Sequence, residues 1–221
     1  DDAIADPIWL EELVSAYADP MALGVGGFVE PRWVVPQPGW FPAEFNWVIG
    51  CTYVGLPIRD GRIRNPIGAN MSVRADVMAR AGTFDPVFGR TYSGTLARAG
   101  TCDETEFSIR AARLHPGGYW VYRHDARVRH TVTGQRATWR YFVNRCRMEA
   151  QSKALLTGMT GSDAGLASER TYVRSVLPRA FARELRAGLR GDRDALGRAG
   201  AILAGLFITA AEYARVRAWP R

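Results

Sequence analysis

Short apolar runs alternate with amphipathic stretches along the first 133 residues, and this alternation predicts an α/β fold. The apolar runs predict strands at 22–29, 68–73, 119–122 and 126–132, with turn residues between the last two. Apolar residues at helical spacing predict helices at 8–18, 74–81 and 103–114. Helical patterns dominate from residue 134 onward, so we expect a helical subdomain after the α/β region.

Two segments depart from this pattern. The segment 85–101 contains several glycines and few large apolar side chains, which predicts a mobile loop. The window 199–211 is apolar except for Thr209, but its thirteen residues are fewer than the roughly 20 that a membrane span needs. It is interpreted either as a packed core helix or as a helix at a membrane surface, flanked by Arg198, Arg215 and Arg217.

The composition favours anionic partners. The 221 residues carry a formal net charge of +7, and Lys153 is the only lysine among the 29 basic residues. Arginine suits phosphate because its guanidinium fork binds phosphate bidentately, although a biased genomic composition explains the arginines equally well. The three cysteines (Cys51, Cys102 and Cys146) do not stand at metal-ligand spacing, which indicates a reducing compartment and no disulfide framework.

Clustered acids mark two candidate sites. Asp1 and Asp2 are adjacent, and neighbouring carboxylates repel each other unless a cation or hydrogen-bond donors compensate. A hard divalent metal accepts such oxygen ligands, whereas a solvated acidic pair is the simpler interpretation. Asp103, Glu104 and Glu106 begin a predicted helix, where acids are favoured by the helix dipole. Three acids in four residues also suit a general base.

Two further features involve basic side chains and a histidine. The predicted helix after residue 138 carries a polar set that is either a solvated face or a diphosphate clamp: Arg140, Asn144, Arg145, Arg147, Gln151 and Lys153. His130 lies near the end of a predicted strand, where an imidazole can serve as a metal ligand. We place His130 on the strand face opposite Val128 and Val132.

Taken in order, several motifs resemble those of family 2 glycosyltransferases with the GT-A fold. Asp1-Asp2-Ala3 followed by Asp6-Pro7-Ile8-Trp9-Leu10 resembles the family's acidic metal-binding motif and the P-x-W-L helix behind it. Gly68-Ala69-Asn70-Met71-Ser72-Val73-Arg74, with Ala81-Gly82-Thr83-Phe84-Asp85, resembles the segment G-A-N-M-x-x-R … G-G-F-D under the acceptor site.

The remaining motifs continue the resemblance as far as residue 155. The segment 102–110 resembles x-E-D-x-D-L-x-x-R, which carries the family's catalytic base, but it reads Asp103-Glu104 where the family usually has Glu-Asp. Val128-Arg129-His130 resembles the strand ending in a histidine that completes the metal site. The segment 140–153 resembles the helix that follows that strand.

The resemblance implies an inverting, metal-dependent transfer of a sugar from a nucleotide-diphosphate sugar to an acceptor hydroxyl. It implies that Glu104 is the catalytic base, tuned by Asp103, and that Asp1, Asp2 and His130 hold Mg²⁺ or Mn²⁺. The implied substrate-binding residues are Asn70, Glu106, Arg145, Arg147 and Trp40. The segment 89–100 is then expected to be a lid that excludes water.

The resemblance also sets the expected organisation and partners. Residues 1–155 would be the C-terminal part of a GT-A domain, a partial mixed sheet with flanking helices, and residues 156–221 a helical tail associated with a membrane or a partner. The family's N-terminal nucleotide-binding half is expected before Asp1, so we expect the chain to be a fragment or to pair with a separate half. The expected partners are a nucleotide-sugar donor and a glycan or lipid-linked acceptor of the cell envelope, and nucleic acid is not expected.

The expected location is cytoplasmic, with peripheral contact at the inner face of the cell membrane as a further possibility. The competing interpretation is a non-catalytic basic module that binds an anionic membrane surface or nucleic acid. Residues 134–193 support it, because they hold twelve Arg or Lys against five acids. That interpretation leaves the clustered acids at 103–106 unexplained.

Overall fold

The computed structural model of the protein describes residues 2–89 and 101–218. The chain divides into two compact units that interleave along the sequence. The first unit comprises the chain up to Arg32 together with Gly50–Thr52 and Leu56–Thr131. The second comprises Trp33–Ile49, Tyr53–Gly55 and the chain from Val132 onward. The predicted division at residue 155 stays a prediction.

A five-stranded sheet forms the centre of the first unit. Its strands are β1 (Ala3–Ala5), β2 (Ala22–Trp33), β3 (Gly61–Ile63), β4 (Met71–Val73) and β5 (Tyr119–Val132). The strand order is β1-β5-β2-β4, and β3 also pairs with β5. The strands β1 and β3 are antiparallel to β5, and β4 is antiparallel to β2.

The two long strands, β2 and β5, run parallel to each other. The N–H of Tyr119 donates to the carbonyl of Met21, and seven residues further along both strands the Asn70 amide bridges the carbonyls of Phe28 and Ala126. Because the paired positions advance together, the strands share one direction. The sheet is therefore mixed, which confirms the predicted α/β class.

Three helices flank this sheet: α1 (Trp9–Ser15), α2 (Ala75–Ala81) and α3 (Asp103–Leu114). The helices α2 and α3 pack on the sheet through a core cluster of Leu23, Val77, Ala81, Phe107, Ala111 and Trp120. A second cluster joins Leu13 of α1 to Val25 and Ala126. Gly82 ends α2 with a positive φ of 79°, so the predicted helix end is confirmed.

The predicted pair of strands at 119–122 and 126–132 is wrong, because the chain forms one continuous strand, β5. The polar residues 123–125 that indicated a turn lie within it. They remain extended because Asp60 accepts hydrogen bonds from the backbone N–H of His124 and from the Arg123 guanidinium. The two halves of β5 also pair with different strands, β3 at Tyr122 and β1 at Val128.

The second unit is helical, as the sequence predicts. Its helices are α4 (Trp139–Thr160), α5 (Ser162–Gly165), α6 (Ala167–Thr171), α7 (Leu177–Leu189) and α8 (Arg193–Ala218), with a π-helical turn at Tyr172–Val176. Thr138 caps α4, because its hydroxyl accepts from the backbone N–H of Tyr141. The helices α4 and α7 pack against α8, and the buried core includes Phe45, Phe142, Leu156, Leu177 and Ile202.

A chain of ion pairs connects two buried glutamates of this second unit to arginines nearer its surface. Glu44 is fully buried, and its carboxylate lies 3.0 Å from the Arg183 guanidinium. Arg183 also pairs with Glu184, which in turn pairs with Arg198 at 2.7 Å. Because a buried carboxylate is costly without a partner, these arginines stabilise the unit mainly by compensating Glu44 and Glu184.

Candidate active site

The first turn of α3 presents the clustered acids. Cys102, the N-cap of this helix, has a φ of 76°, and it is the one positive-φ residue other than glycine in residues 2–89 and 101–218. A left-handed conformation is unfavourable for a residue with a side chain, so the surrounding packing must hold this turn in place. Strain of this kind occurs frequently at functional sites.

Glu104 is held by a backbone donor from another part of the chain. It is half-buried, and its Oε1 accepts a hydrogen bond of 3.1 Å from the N–H of Gly68, 36 residues earlier in the sequence. A backbone N–H that donates to a carboxylate fixes its orientation and favours its ionised form. The predicted base is therefore an oriented carboxylate in the first turn of α3.

Gly68 approaches Glu104 so closely that a side chain at position 68 would displace the Glu104 carboxylate. A Cβ at position 68 would lie 2.2 Å from Oε1 of Glu104 and 3.0 Å from its Cδ. The absence of a side chain at this turn is therefore a requirement of the contact. The resemblance to the G-A-N-M motif pointed to this segment, but no role for Gly68 followed from the sequence, because the partner is distant along the chain.

Asn70 has a clear structural role. It is buried, and its amide donates to the carbonyls of Phe28 at 3.1 Å and Ala126 at 2.7 Å while its Oδ1 accepts from the Trp9 indole. These bonds use the amide and the carbonyl oxygen and link α1, β2 and β5 to the turn that carries Gly68. The role of Asn70 in substrate binding stays a prediction.

Glu106 and Asp103 differ in their surroundings. Glu106 is buried and makes a bidentate pair with Arg110 at 2.8 and 2.9 Å. Arg110 donates further to the carbonyls of Ala81 and Thr83, so this pair fastens the end of α2 to α3. The hydrogen bonds that Arg110 donates to Glu106 raise the pKa of Arg110 above its usual value. Asp103 is half-buried, and its side chain has no hydrogen bond or ion pair with the described residues.

Asp2 and His130 meet at the junction of β1 and β5. The Oδ2 of Asp2 lies 3.2 Å from the Nε2 of His130, and the carbonyl of Asp2 accepts from the backbone N–H of Thr131. His130 is 6% exposed, and its Nδ1 lies 3.7 Å from the Sγ of Cys51. The structure therefore brings together two of the three predicted metal ligands.

His130 occupies the opposite face of β5 from the one predicted. It is buried on the same face as Val128 and Val132, because residues two apart in a strand share a face. This placement turns the imidazole into the fold and away from open solvent. A buried imidazole that contacts an exposed carboxylate is a suitable nitrogen ligand with little freedom to turn.

The pair fits part of a site for a divalent cation. A carboxylate oxygen and an imidazole nitrogen are ligand types that Mn²⁺ accepts, and Mg²⁺ prefers the oxygen. Among residues 2–89 and 101–218, no group of three or more His, Cys, Asp or Glu side chains is arranged to hold a metal. Asp1, the third predicted ligand, lies outside the described residues, and so does 90–100 of the predicted lid and mobile loop.

The Glu104–Gly68 contact and the Asp2–His130 pair are linked within the first unit. Asn70 is two residues from Gly68, which contacts Glu104, and its amide bonds Ala126 on β5. His130 follows Ala126 by four residues on the same face of that strand, roughly 13 Å further along. The predicted base, Glu104, and the Asp2–His130 pair therefore lie on elements that are linked through the turn carrying Gly68 and Asn70.

The remaining predicted residues belong to the second unit. Arg145 is half-buried and donates from Nε to the carbonyl of Val48, whereas Arg147 lies on the exposed face of α4. Trp40 is half-buried in an aromatic cluster with Phe41, Trp139 and Phe142. Their substrate roles stay predictions.

One member of the suggested clamp on α4 lies elsewhere. Arg140, Asn144, Arg147 and Gln151 share the exposed face, but Lys153 is buried. Its ammonium pairs with Glu169 at 2.6 Å and Glu149 at 3.7 Å. These ion pairs direct Lys153 into the helical unit.

Comparison with known proteins indicates the class of this protein. The chain is similar to a glycosyltransferase, and no protein-family model matches it. The relative is the glucosyl-dolichyl phosphate glucuronosyltransferase of Haloferax volcanii, which is 34% identical over 157 residues. The aligned region covers 71% of this chain and 49% of that protein, so the chain spans about half the length of the curated relative that it matches.

Proposed function

We propose that the protein transfers a sugar from a nucleoside diphosphate sugar to an acceptor hydroxyl, with inversion at the anomeric carbon. The observation that carries the proposal is the hydrogen bond from the Gly68 N–H to the Glu104 carboxylate. It holds a half-buried base at the start of α3, at the position that resembles the family's base. The similarity to a glycosyltransferase supports the same reaction class.

The proposed reaction is a single displacement. The Glu104 carboxylate accepts the proton of the acceptor hydroxyl while that oxygen forms a bond to the anomeric carbon. The bond from the anomeric carbon to the diphosphate breaks at the same time, and the nucleoside diphosphate leaves with its electron pair. Attack opposite the leaving group inverts the anomeric carbon. Inverting glycosidases act in the same way, because a carboxylate base activates a nucleophile on the face opposite the leaving group.

Asp2 and His130 are the proposed ligands of a divalent cation, together with Asp1. The cation would supply positive charge that stabilises the departing diphosphate. The protein's own contribution is orientation, because β5 fixes the imidazole and the backbone bond to Thr131 fixes Asp2 beside it.

We propose a lipid-linked glycan as the acceptor. The proposal is supported by the relative, whose name describes transfer of a glucuronosyl group to glucosyl-dolichyl phosphate. It agrees with the basic composition of the chain, because a phosphate-bearing acceptor is anionic. The competing interpretation, a basic module without catalytic activity, accounts for the arginines. It gives no role to the contact between Glu104 and Gly68.

The test is Glu104→Gln, which keeps the shape of the side chain but removes the basic carboxylate. Transfer of a radiolabelled sugar to a glucosyl polyprenyl phosphate is measured with the intact protein, and donor affinity is measured by calorimetry. We expect transfer to fall by at least about 10²-fold with donor affinity nearly unchanged. The matched control, Glu11→Gln, changes an exposed acid in the first turn of α1 and should leave transfer intact. Unchanged turnover in Glu104→Gln would remove the proposed base.

A further inference from the structure

The outward side of α8 is an exposed apolar surface. We call it the outer face of α8, and it comprises Leu196, Gly200, Leu203, Phe207, Ala210 and Ala214, all exposed. Phe207 is 75% exposed and Leu203 50%. These positions recur at helical spacing over five turns, and no acid interrupts them. Such a continuous apolar face is unusual for a helix surrounded by water.

The opposite side of α8 is fixed in the helical unit. Ala195, Ala199 and Ile202 are buried, and α4 and α7 pack along this side. By length and composition Arg193–Ala218 is able to cross a membrane. An 18-residue stretch of this helix has a mean hydropathy of 1.3, but only 28% of that stretch is buried. Since α4 and α7 occupy one side of α8, the arrangement suits a helix lying along a membrane surface.

Cationic side chains lie at the beginning of this face. Leu185 and Leu189 are exposed on α7, and Gly188 packs against Leu196, so the apolar surface continues across the turn between α7 and α8. The adjacent arginines, Arg186, Arg190 and Arg193, are exposed and have no side-chain hydrogen bond or ion pair with the described residues. Arg198, expected among the flanking arginines, instead pairs with Glu184 and Asp192.

We propose that the outer face of α8 docks on an anionic phospholipid surface. Its leucines and Phe207 enter the boundary between headgroups and acyl chains, and the three unpaired arginines contact the lipid phosphates. The charge pattern selects this occupant, because exposed apolar side chains beside unpaired arginines match the layered polarity of an anionic membrane surface. The docking is independent of catalysis, so it is tested without donor or acceptor.

The experiment measures sedimentation of the protein with vesicles of phosphatidylcholine mixed with phosphatidylglycerol. We expect binding that weakens at high salt and with vesicles of phosphatidylcholine alone. Phe207→Glu should weaken binding at least about tenfold, because it removes the most exposed apolar side chain of the face. Replacing Arg186, Arg190 and Arg193 together by Gln should weaken vesicle binding by about 100-fold, because each arginine near the surface contributes about fivefold to the affinity.

A matched control and a second readout keep the test decisive. Ile58→Glu introduces the same charge at an apolar side chain that is 80% exposed in the first unit, and binding should not change. In Phe207→Cys the new thiol can be labelled selectively with an environment-sensitive dye, because Cys51, Cys102 and Cys146 are buried. The emission of the dye should shift to the blue when the protein binds the vesicles. The proposal is overturned if Phe207→Glu binds as tightly as the unaltered protein or the dye shows no shift. A dimer in ultracentrifugation that Phe207→Glu dissociates would also overturn it, because a second copy would then cover the face.

Discussion

Replacing Gly68 by alanine isolates the contact that positions the proposed base. The new Cβ would lie 2.2 Å from Oε1 of Glu104, whereas carbon and oxygen atoms normally remain more than about 3 Å apart. The carboxylate must therefore move by roughly 1 Å, and its hydrogen bond to the Gly68 N–H is lost or badly distorted. The backbone of Gly68 is not among the positive-φ glycines, so alanine adopts its conformation without strain.

The expected effect follows from this displacement. A misplacement of about 1 Å near the reacting atoms costs about 10²-fold in rate, and a hydrogen bond to a charged group contributes about 1.5–3 kcal/mol, which is of the same order. We expect kcat to fall by about 10²-fold while donor KM changes little. The free energy of unfolding should change by less than about 1 kcal/mol, because position 68 is exposed.

The assay is steady-state sugar transfer with the variant, accompanied by urea unfolding. Gly61→Ala is the matched control, since a Cβ at that exposed strand position meets nothing within 4 Å. Turnover of Gly68→Ala within twofold of the Gly61→Ala control would refute the reasoning.

Three further predictions concern stability. Asn70→Ala leaves the Phe28 and Ala126 carbonyls and the Trp9 indole without their shared partner, and it should lower the free energy of unfolding in urea by about 3 kcal/mol; a loss under 1 kcal/mol would contradict the bridging role. Arg183→Ala leaves the buried Glu44 carboxylate without its cation and should lower the free energy of unfolding by about 2–3 kcal/mol. The loss is somewhat smaller than for a fully buried pair because Arg183 is half exposed. The surface control Arg170→Ala should lower the free energy of unfolding by less than about 1 kcal/mol. The Arg215 guanidinium lowers the pKa of Glu212 to about 2, so its stabilisation is present above pH 4.5 and is lost as pH falls towards 2. The free energy of unfolding should therefore fall less between about pH 6 and pH 3 in Glu212→Gln than in the unaltered protein. We expect a difference of about 1 kcal/mol, because solvent screens part of the ion pair.

The sequence predicted local elements well where a boundary residue and a hydrophobic period agreed. The acids at 103–106 followed by apolar positions at helical spacing gave α3 its observed bounds, Asp103–Leu114. Gly82 marked the end of α2 for a reason that is local to one residue, its positive φ. These features depend on neighbours a few residues away, which a single sequence displays directly.

Features that depend on distant partners could not be predicted in the same way. The polar residues 123–125 predicted a turn. They form part of a strand because they bond Asp60, which is more than 60 residues away along the chain and gives no signal in the local sequence. Glu104 and His130 were identified as candidate residues, but the contacts that orient them come from Gly68 and Cys51. The pairing of Glu44 with Arg183 across 139 positions has no signal in either local sequence.

The stereochemistry of the transferred sugar tests the central claim most directly. A single displacement assisted by Glu104 requires that the anomeric configuration of the product be opposite to that of the donor. The measurement is the anomeric proton coupling in the NMR spectrum of the purified product. We predict inversion, and a product that retains the donor configuration would contradict the proposed role of Glu104 as the base for the incoming hydroxyl.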